Sequence, residues 1–422
     1  MPDLGANIAG ISSPNPFWLA SGPPTNTADQ VMRAFDLGWG GAVWKTLCDP
    51  VQNTSSRLGA LAQRGPGLLG LGNIELISDR PLEANLRELA EVKRRYPHHA
   101  VLASLMFDSR EAWIDAVQRC VDAGVDGLEL NFGCPHGMCE RGMGSVVGQE
   151  PPINERITRW VTEASPIPVL VKLTPNVADI VPHGLASQRG GARGVSLINT
   201  VHSIIGVDID RFVPYPSVGD RGSHGGLSGP AIRPIALHMV GSLARSRDFH
   251  LPISAIGGIS EWRHAVEFLL LGASTVQVAT AVMHHGYRIV EDMIDGLSCW
   301  MEAHGFARLS DFIGKAVPNL VDWGDLDLNF ETVARIDPQR CNGCLGCVTA
   351  CHDGGHQCIH VNPGEKPRVD EDACVGCNLC AEICPVEGGI TMVRVDNGLP
   401  PVTWSEHVHS GTPIRTKKGV RD

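Results

Sequence analysis

One cysteine of the chain stands in a setting that suits chemistry better than packing. In the stretch ELNFGCPHGMCERGMG (129–144), apolar residues typical of a buried strand end at Asn131, and Cys134 follows between a glycine and a proline. An ordinary thiol has a pKa of about 8.5, so at neutral pH it is mostly protonated and can donate a proton. The glycines of the loop allow it to swing over a bound molecule. We therefore predict a catalytic role for Cys134; the alternative is a buried, inert thiol.

The carboxyl-terminal part of the chain holds a second set of reactive side chains. Nine of the 14 cysteines lie between Cys341 and Cys384. Eight of them form two runs with the spacing C-x2-C-x2-C-x3-C: Cys341, Cys344, Cys347 and Cys351, then Cys374, Cys377, Cys380 and Cys384. In this ferredoxin spacing, three cysteines of a run ligate one [4Fe–4S] cluster and the fourth ligates the other cluster.

This spacing predicts two clusters with interleaved ligands. The first cluster takes Cys341, Cys344, Cys347 and Cys384, and the second takes Cys374, Cys377, Cys380 and Cys351. Two zinc sites of four cysteines each are the alternative, but zinc ribbons pair separate C-x-x-C knuckles rather than three-cysteine runs. The first run departs from the usual pattern, because His352 stands where the second run has a proline, and the insertion HDGGHQC adds Cys358. We predict that Cys358 is not a ligand.

Composition and charge exclude several classes of protein. A net charge of −11 argues against nucleic acid and anionic membrane surfaces as partners. No apolar run reaches 18 residues, and the amino terminus lacks the basic and apolar regions of a secretion signal. Without such a signal, the cysteines indicate metal ligation or catalysis rather than a disulfide framework. We expect a cytoplasmic protein.

The elements that must position these residues are visible as eight apolar runs in the first 300 residues. They are PFWLAS (16–21), GAVWKT (41–46), AVLASLMF (100–107), GLELNF (127–132), PVLVKLT (168–174), GVSLINT (194–200), PISAIGG (252–258) and STVQVAT (274–280). Most are separated by charge-flanked, helix-like stretches such as 80–96 and 108–124. Continuous rather than alternating hydrophobicity is typical of parallel strands that are buried on both faces.

Eight such runs predict an α/β fold, a (β/α)8 TIM barrel, rather than the alternative of a doubly wound sheet. The change in cysteine density marks a boundary near 321–340. We therefore predict a barrel domain over 1–320 and a ferredoxin-like 2[4Fe–4S] domain with a carboxyl-terminal tail over 321–422.

In a barrel, chemistry takes place in the loops after the carboxyl ends of the strands. Polar or backbone-exposing residues recur there: Ser21, Lys45, Thr46, Asn131, Lys172, Thr174, Asn199, Thr200, Gly257, Gly258, Ala279 and Thr280. Glycines after the seventh strand and a threonine after the eighth match the usual phosphate site of barrels. The lysines could hold an anionic ring edge, and the asparagines could pair with the amides of a heterocycle. The set suggests flavin mononucleotide (FMN) with a planar, amide-bearing substrate stacked on it.

A glycine-rich motif is a false signal for a dinucleotide site. GPGLLG (65–70) matches the pattern G-x-G-x-x-G, but it does not follow a predicted strand and contains Pro66. We predict a loop that lines the barrel mouth instead. No other segment offers the fingerprint, so we expect that the chain cannot use NADH alone.

Several stretches resemble one enzyme family. LNFGCPHGMCERGMG, KLTPNV, INTVHS, GGLSGPAIRPIAL and GNIELIS are similar to the pyrimidine-reducing half of the dihydropyrimidine dehydrogenases. Together with the two-cluster tail, the resemblance covers nearly the whole chain. Related dihydroorotate dehydrogenases share the barrel, but not Cys-Pro-His-Gly-Met combined with this tail.

The resemblance implies a function, its cofactors and its partner. The chain would reduce uracil or thymine to the 5,6-dihydropyrimidine at FMN, with electrons relayed through two [4Fe–4S] clusters from a partner subunit that binds NAD and FAD. That partner would dock near 336–400. Two alternatives stay open: a dihydroorotate dehydrogenase-like flavin oxidoreductase with a ferredoxin tail, and a subunit that serves mainly in electron transfer.

The resemblance also assigns roles to residues. The catalytic acid would be Cys134, which delivers a proton to C5 of the pyrimidine while hydride reaches C6. Substrate contacts would be Asn73, Asn131, Asn199 and Thr200. Flavin contacts would be Ser21, Lys45, Thr46, Lys172, Gly229, Gly258 and Thr280, beside Gly257 and Ala279 of the phosphate site. The chain departs from the expected motif at Phe132-Gly133, where Leu-Ser is expected, and at Cys139, where glycine is expected.

Overall fold

Eight parallel strands close into a barrel in the first part of the chain. The strands are Phe17–Leu19 (β1), Gly41–Leu47 (β2), Ala100–Leu105 (β3), Gly127–Asn131 (β4), Val169–Lys172 (β5), Gly194–Leu197 (β6), Ile253–Ile256 (β7) and Ala273–Val278 (β8). Each pairs in parallel with the next, and β8 closes on β1, with Val276 opposite Phe17. The predicted barrel is confirmed, and each strand overlaps the run that predicted it.

The computed structural model describes residues 2–48, 52–62, 68–134 and 143–415. The chain divides into two units, Met1–Leu320 and Val321–Asp422. Among the described residues, no helix has both the length and the apolar character needed to cross a membrane.

The strands of the barrel are buried along almost their whole length, as their apolar sequences require. Every residue of β2 and of β3 is buried. The inner faces fill the barrel and the outer faces pack on helices, so neither face can be polar without a partner. Lys45 and Thr46 at the end of β2 are therefore exceptions that need an explanation.

Helices surround the barrel between the strands. They span Ala28–Asp36, Leu82–Arg95, Arg110–Asp122, Ser145–Gln149, Pro151–Ala164, Val181–Arg189, Arg233–Arg245, Trp262–Leu270, Thr280–His285 and Ile289–Ala303. The helix Arg110–Asp122 shows why they form where they do. Ser109 caps its first turn by accepting a hydrogen bond from the Ala112 amide (3.3 Å), and Trp113, Ala116, Val117 and Cys120 form its buried stripe.

An amino-terminal hairpin packs against one half of the barrel. Ala6–Ile8 pairs with Ile11–Ser13, and the buried side chains of this hairpin cluster with side chains of the barrel strands. These are Trp18, Val43, Leu102 and Leu170. These side chains fill the end of the barrel where the hairpin packs, so the carboxyl ends of the strands remain available for a site.

Connections after β2 and β6 build a small antiparallel sheet. Its order is Val201–Ser203, Gly225–Ser228, Leu68–Asn73 and Leu58–Ala62. Two hairpins extend from the same region, Gly206–Asp208 with Val213–Tyr215 and Ser217–Val218 with Arg221–Gly222.

The glycine-rich motif falls partly in this sheet. Residues 65–67 of GPGLLG lie outside the described residues, and Leu68–Gly70 belongs to a strand rather than to the predicted loop. That strand pairs antiparallel with Leu58–Ala62, so the described part of the motif does not open a helix as a dinucleotide site would require.

The second unit is small and built around its cysteines. Thr332–Ile336 pairs antiparallel with Ile390–Arg394, and Ile359–His360 pairs with Arg368–Val369. The helices Gly346–Gly354 and Leu379–Glu382 each begin beside a run of cysteines, and Trp404–Ser410 lies in the tail. Leu345 and Asn378, with φ of 60° and 69°, precede the two helices in the same left-handed conformation. The two runs therefore fold as a structural repeat.

Candidate functional site

Two adjoining cavities lie at the carboxyl ends of the barrel strands. The first has a volume of about 340 Å³ and the second about 140 Å³. Their common wall is formed by Ser21, Asn199, Thr200, Ser228, Ala279 and Thr280. Every barrel residue assigned to the flavin, the substrate or catalysis lines one or both of them. The structure therefore brings together side chains that the sequence scatters over more than 250 positions.

Backbone shapes one end of the first cavity. Gly229, Gly257 and Gly258 line it with φ of 88°, 139° and 70°. A Cβ at Gly258 would lie 2.7 Å from the Cβ of Arg233, and one at Gly257 would lie 2.6 Å from the Cβ of Ala236. Side chains are thus excluded where the loop after β7 meets the start of the helix Arg233–Arg245. A glycine cradle at this end of a barrel suits a phosphate group.

Hydroxyl groups continue the wall from the glycines towards the second cavity. Thr280 Oγ1 donates to Ser228 Oγ (2.9 Å), and Ser228 Oγ donates to the carbonyl of Leu71 (3.1 Å). Ser228 lines both cavities, although the sequence analysis did not single it out. Its place directly before Gly229 in GGLSGP was the available signal.

A buried polar network underlies the first cavity. Lys172 Nζ lies 3.7 Å from Glu129 Oε1, and both side chains are almost fully buried. Glu129 Oε2 accepts hydrogen bonds from Ser196 Oγ (2.7 Å) and Gln277 Nε2 (3.1 Å). Glu129 and Gln277 were not predicted, because inward-facing polar residues in the middle of apolar strands give no sign of which neighbours they meet.

The same network contains buried polar atoms that make no hydrogen bond within the described residues. Within the described residues, Glu129 Oε1 and Gln277 Oε1 make no hydrogen bond. Leaving such an atom unsatisfied costs on the order of 1–3 kcal/mol. Since Gln277 lines the cavity, its free acceptor fits a bound group with an N–H donor, and Lys172 fits an anionic edge. The glycine cradle, the ammonium group and the free acceptor together fit the phosphate and ring of a flavin mononucleotide.

Charge is compensated in the second cavity. Lys45 Nζ lies 2.8 Å from Glu75 Oε1, and Arg57 Nε lies 3.2 Å from the same oxygen. Lys45 and Glu75 are both buried, so each charge needs the other. Glu75 lines the second cavity and was missed by the sequence analysis. Its position two residues after Asn73, in GNIELIS, was the signal.

A chain of hydrogen bonds orients the amides of the second cavity. Asn131 Nδ2 donates to Thr46 Oγ1 (3.0 Å), and Asn199 Nδ2 donates to Asn131 Oδ1 (2.8 Å). Thr46 Oγ1 also lies 3.2 Å from Ser21 Oγ and 2.9 Å from Ser104 Oγ. Asn131 sits at the end of β4, and these contacts fix both carboxamides. Two fixed carboxamides can offer paired donors and acceptors to a planar amide.

The remaining predicted substrate residues complete the same wall. The Thr200 amide donates to Asn199 Oδ1 (2.9 Å), and Asn73 Nδ2 donates to the carbonyl of Gly226 (3.0 Å). The register that places Gly226 opposite Asn73 holds the small sheet over the cavity.

Cys134 lines the second cavity together with Asn131 and Asn199, and its residue is 8% exposed. The chain returns against it, because a Cβ at Gly144 would lie 2.8 Å from the Cys134 carbonyl oxygen. Residues 135–142 lie outside the described residues, so Cys139 has no described position. Cys120, another buried cysteine of the barrel unit, lies on the buried face of the helix Arg110–Asp122 and lines neither cavity, and burial raises the pKa of its thiol to about 12.

The departure at Phe132-Gly133 has a local structural basis. A Cβ at Gly133 would lie 2.5 Å from the Cβ of Asn199. Glycine therefore lets Asn199 approach and donate to Asn131. Phe132 is fully buried and packs edge-on against Trp113, with ring centroids 6.2 Å apart at 83°.

The cysteines of the second unit separate into two small cavities. One is lined by Cys341, Cys344, Cys347 and Cys384. The other is lined by Cys351, Cys374, Cys377 and Cys380, with Cys358 beside them. In each, the fourth cysteine of one run joins the first three of the other, as the spacing predicts. Among the described residues, no three His, Cys, Asp or Glu side chains converge closely enough to hold a single metal ion. The thiols instead line the walls of the two cavities. Four thiols around a cavity are the donor set of a [4Fe–4S] cluster.

Sequence families match both units. The family described as "Dihydroorotate dehydrogenase" matches residues 3–301. The family described as "4Fe-4S dicluster domain" matches residues 334–392, which include both runs of cysteines.

Characterised relatives cover most of the chain. The "NAD-dependent dihydropyrimidine dehydrogenase subunit PreA" of Escherichia coli (strain K12) is 41% identical over 91% of this chain and 94% of that protein. "Dihydropyrimidine dehydrogenase (NADP(+)), chloroplastic" of Arabidopsis thaliana is 38% identical over 77% of this chain and 79% of that protein. The "Dihydroorotate dehydrogenase B (NAD(+)), catalytic subunit" of Pyrococcus horikoshii is 36% identical over 74% of this chain and 98% of that protein. These similarities confirm the resemblance that the sequence motifs indicated.

Proposed function

The chain belongs to the dihydroorotate dehydrogenase family, and on this premise we propose that it is the pyrimidine-reducing subunit of a dihydropyrimidine dehydrogenase. It converts uracil or thymine to the 5,6-dihydro form. The observation that carries the proposal is the second cavity, where Cys134 and two fixed asparagine amides share one wall beside the glycine cradle. The dicluster unit supports the proposal. The match to the dihydroorotate dehydrogenase subunit of Pyrococcus horikoshii covers 98% of that protein but only 74% of this chain, so about a quarter of this chain has no counterpart there.

The first cavity holds FMN in this proposal. Gly229, Gly257, Gly258 and Thr280 would hold the phosphate, and Lys172 would stabilise the negative charge that the ring gains on reduction. Ser21 and Ala279 line both cavities, and Lys45 and Thr46 line the second cavity next to them. When bound, the flavin supplies a hydride to C6 of the pyrimidine.

The residues of the second cavity bind the pyrimidine and move a proton. Asn131, Asn199, Asn73 and Thr200 orient the planar ring through its amide groups. Reduction of the C5–C6 double bond adds a proton at C5, and the thiol of Cys134 donates it. The resulting thiolate takes its next proton from solvent.

Electrons reach the barrel from outside the chain. The Escherichia coli relative is named as a subunit and as NAD-dependent, and the described residues of GPGLLG do not open a helix. We therefore assign NAD and FAD to a partner subunit that docks near residues 336–400, where the clusters lie. We place the chain in the cytoplasm, since thiolate-ligated clusters suit a reducing compartment.

Steady-state turnover with and without the partner tests this function. The purified chain with a chemical reductant should reduce uracil and thymine, and with NADH alone it should show negligible oxidation until the partner subunit is added. Cys344→Ala should abolish the NADH-coupled reaction and spare the reaction driven by reductant at the flavin. Brisk NADH consumption by the isolated chain, or turnover of dihydroorotate in preference to both pyrimidines, would contradict the proposal.

A further inference from the structure

A fifth thiol lies at one of the two cluster cavities. Cys358 is buried and lines the cavity of Cys351, Cys374, Cys377 and Cys380. Its Sγ lies 3.5 Å from Cys351 Sγ, and its backbone N–H donates to the same sulfur at 3.4 Å. Cys358 therefore approaches Cys351 through two separate groups, its thiol and its backbone N–H, and its thiol also interacts with Cys374.

The local fold holds Cys358 in this place. The residue directly precedes the strand Ile359–His360, which pairs with Arg368–Val369. Its carbonyl oxygen accepts a hydrogen bond from the Asp370 amide (2.8 Å). The strand pairing and the hydrogen bond to the carbonyl oxygen fix the backbone of Cys358, so its position does not depend on the thiol. Replacing the thiol should therefore leave the backbone N–H where it is.

The other cavity lacks this arrangement. Its lining among the described residues contains four cysteines and no fifth. The sulfur of its fourth cysteine, Cys384, lies 3.5 Å from the carbonyl oxygen of Val386, which can only accept a hydrogen bond. The two halves of the repeat thus differ at the equivalent ligand, Cys351 in one and Cys384 in the other.

We infer that Cys358 is not a ligand of the second cluster but a positioning residue whose S–H donates a hydrogen bond to the Cys351 sulfur and raises that cluster's reduction potential. A ligating thiolate carries no proton, so in this pair the donor must be Cys358. Reduction adds negative charge to the cluster and its sulfurs, and hydrogen bonds to those sulfurs stabilise the reduced state. The inference rests on the dicluster unit alone and is independent of the substrate reduced in the barrel.

Anaerobic redox titration followed by electron paramagnetic resonance tests the inference. In Cys358→Ala one of the two cluster potentials should fall, by about two- to tenfold in the equilibrium constant for reduction, where tenfold is ~59 mV for one electron. The other potential and the iron content should not change. Cys358→Ser keeps a donor and should give a smaller shift. Cys299→Ala, which removes an exposed thiol of the first unit, is the matched control and should change neither potential.

Other outcomes would overturn the inference. Unchanged potentials in Cys358→Ala would show that the thiol makes no such bond, and equal shifts of both clusters would show a general disturbance. Cys351→Ala should lose the iron and the signal of one cluster. Retention of a complete cluster in Cys351→Ala, with loss in Cys358→Ala, would show that Cys358 is the ligand.

Discussion

The two cavities of the barrel are built by different means. In the first, glycine backbone shapes one end, and the buried network beneath it leaves acceptors on Glu129 and Gln277 without hydrogen bonds among the described residues. In the second, Lys45 is paired with Glu75 and the asparagine amides are already hydrogen-bonded to each other. The glycine backbone, Lys172 and Gln277 of the first cavity suit a cofactor that stays bound. In the second cavity these polar groups are already paired without a ligand, which suits a site that binds and releases substrate in each turnover. Changes in the first should therefore affect cofactor retention and potential, and changes in the second should affect turnover and substrate affinity.

Removing Cys134, the proposed acid of the second cavity, should have the largest effect. Cys134→Ala should slow uracil reduction by about 10²–10⁴-fold, because the proton for C5 loses its donor. FMN content and uracil affinity should stay close to those of the unchanged chain. Cys134→Ser should rescue little, since a hydroxyl is a much weaker acid than a thiol. Steady-state kinetics and flavin absorbance measure both properties.

A second thiol in the same loop provides the control. Cys139→Ala should be mild, although its position is outside the described residues. A severe loss in Cys139→Ala with near-native turnover in Cys134→Ala would mean that the wrong thiol has been assigned.

Filling the glycine cradle should release the cofactor. Gly258→Ala places a Cβ 2.7 Å from that of Arg233 at a φ of 70°, so both the backbone and the neighbour resist it. Strain of this kind costs on the order of 1–3 kcal/mol, which corresponds to about 5–150-fold weaker FMN binding if the bound state bears it. Flavin content after dialysis measures the loss of FMN.

Gly305→Ala is the matched control, with a φ of 72° and no atom within 4 Å of the added Cβ, and it should keep its flavin. Equal loss in both variants would mean that backbone strain alone, and not the cradle, explains the result.

The charges beneath the first cavity should move the flavin potential in opposite directions. Lys172→Met removes a positive charge that stabilises the reduced, negative ring, so the potential should fall, by roughly tenfold in the reduction equilibrium. Glu129→Gln removes the carboxylate 3.7 Å from Lys172 and should raise it. Spectroelectrochemical titration measures both variants. Shifts of the same sign would show that the pair acts on packing rather than on charge.

The smallest expected effect concerns the second cavity. Gly133→Ser introduces a Cβ 2.5 Å from that of Asn199, which must move and lose its hydrogen bond to Asn131. Because a hydrogen bond contributes about 1 kcal/mol, the KM for uracil should rise several-fold with FMN retention unchanged. An unaltered KM for both uracil and thymine would show that the orientation of Asn199 is not set by this contact.

The sequence was most informative where the relevant residues are neighbours in the chain. The cysteine runs predict their own grouping, because a short loop with fixed spacing can wrap a cluster by itself, and the two cavities of the second unit repeat that grouping. The eight strands were also predictable, since burial on both faces demands continuous apolar runs. Strand ends then identified Lys45, Asn131, Lys172 and Asn199 as candidates.

The sequence was least informative where partners are distant along the chain. Glu75 was missed because its significance comes from Lys45, 30 residues away in sequence. Gln277 and Glu129 meet across the barrel and read in the sequence as isolated polar residues in apolar strands. The role of Gly133 likewise depends on the approach of Asn199. Barrel closure creates these pairs, and spacing along the chain carries no record of them.

A single anaerobic mixing experiment tests the central claim most directly. The purified chain, reduced chemically and freed of excess reductant, is mixed with uracil in the absence of any partner. We predict that the absorbance of oxidised flavin returns and that dihydrouracil forms in proportion to the bound FMN. A reduced chain whose spectrum stays unchanged with uracil and with thymine, but is reoxidised by orotate, would contradict the account.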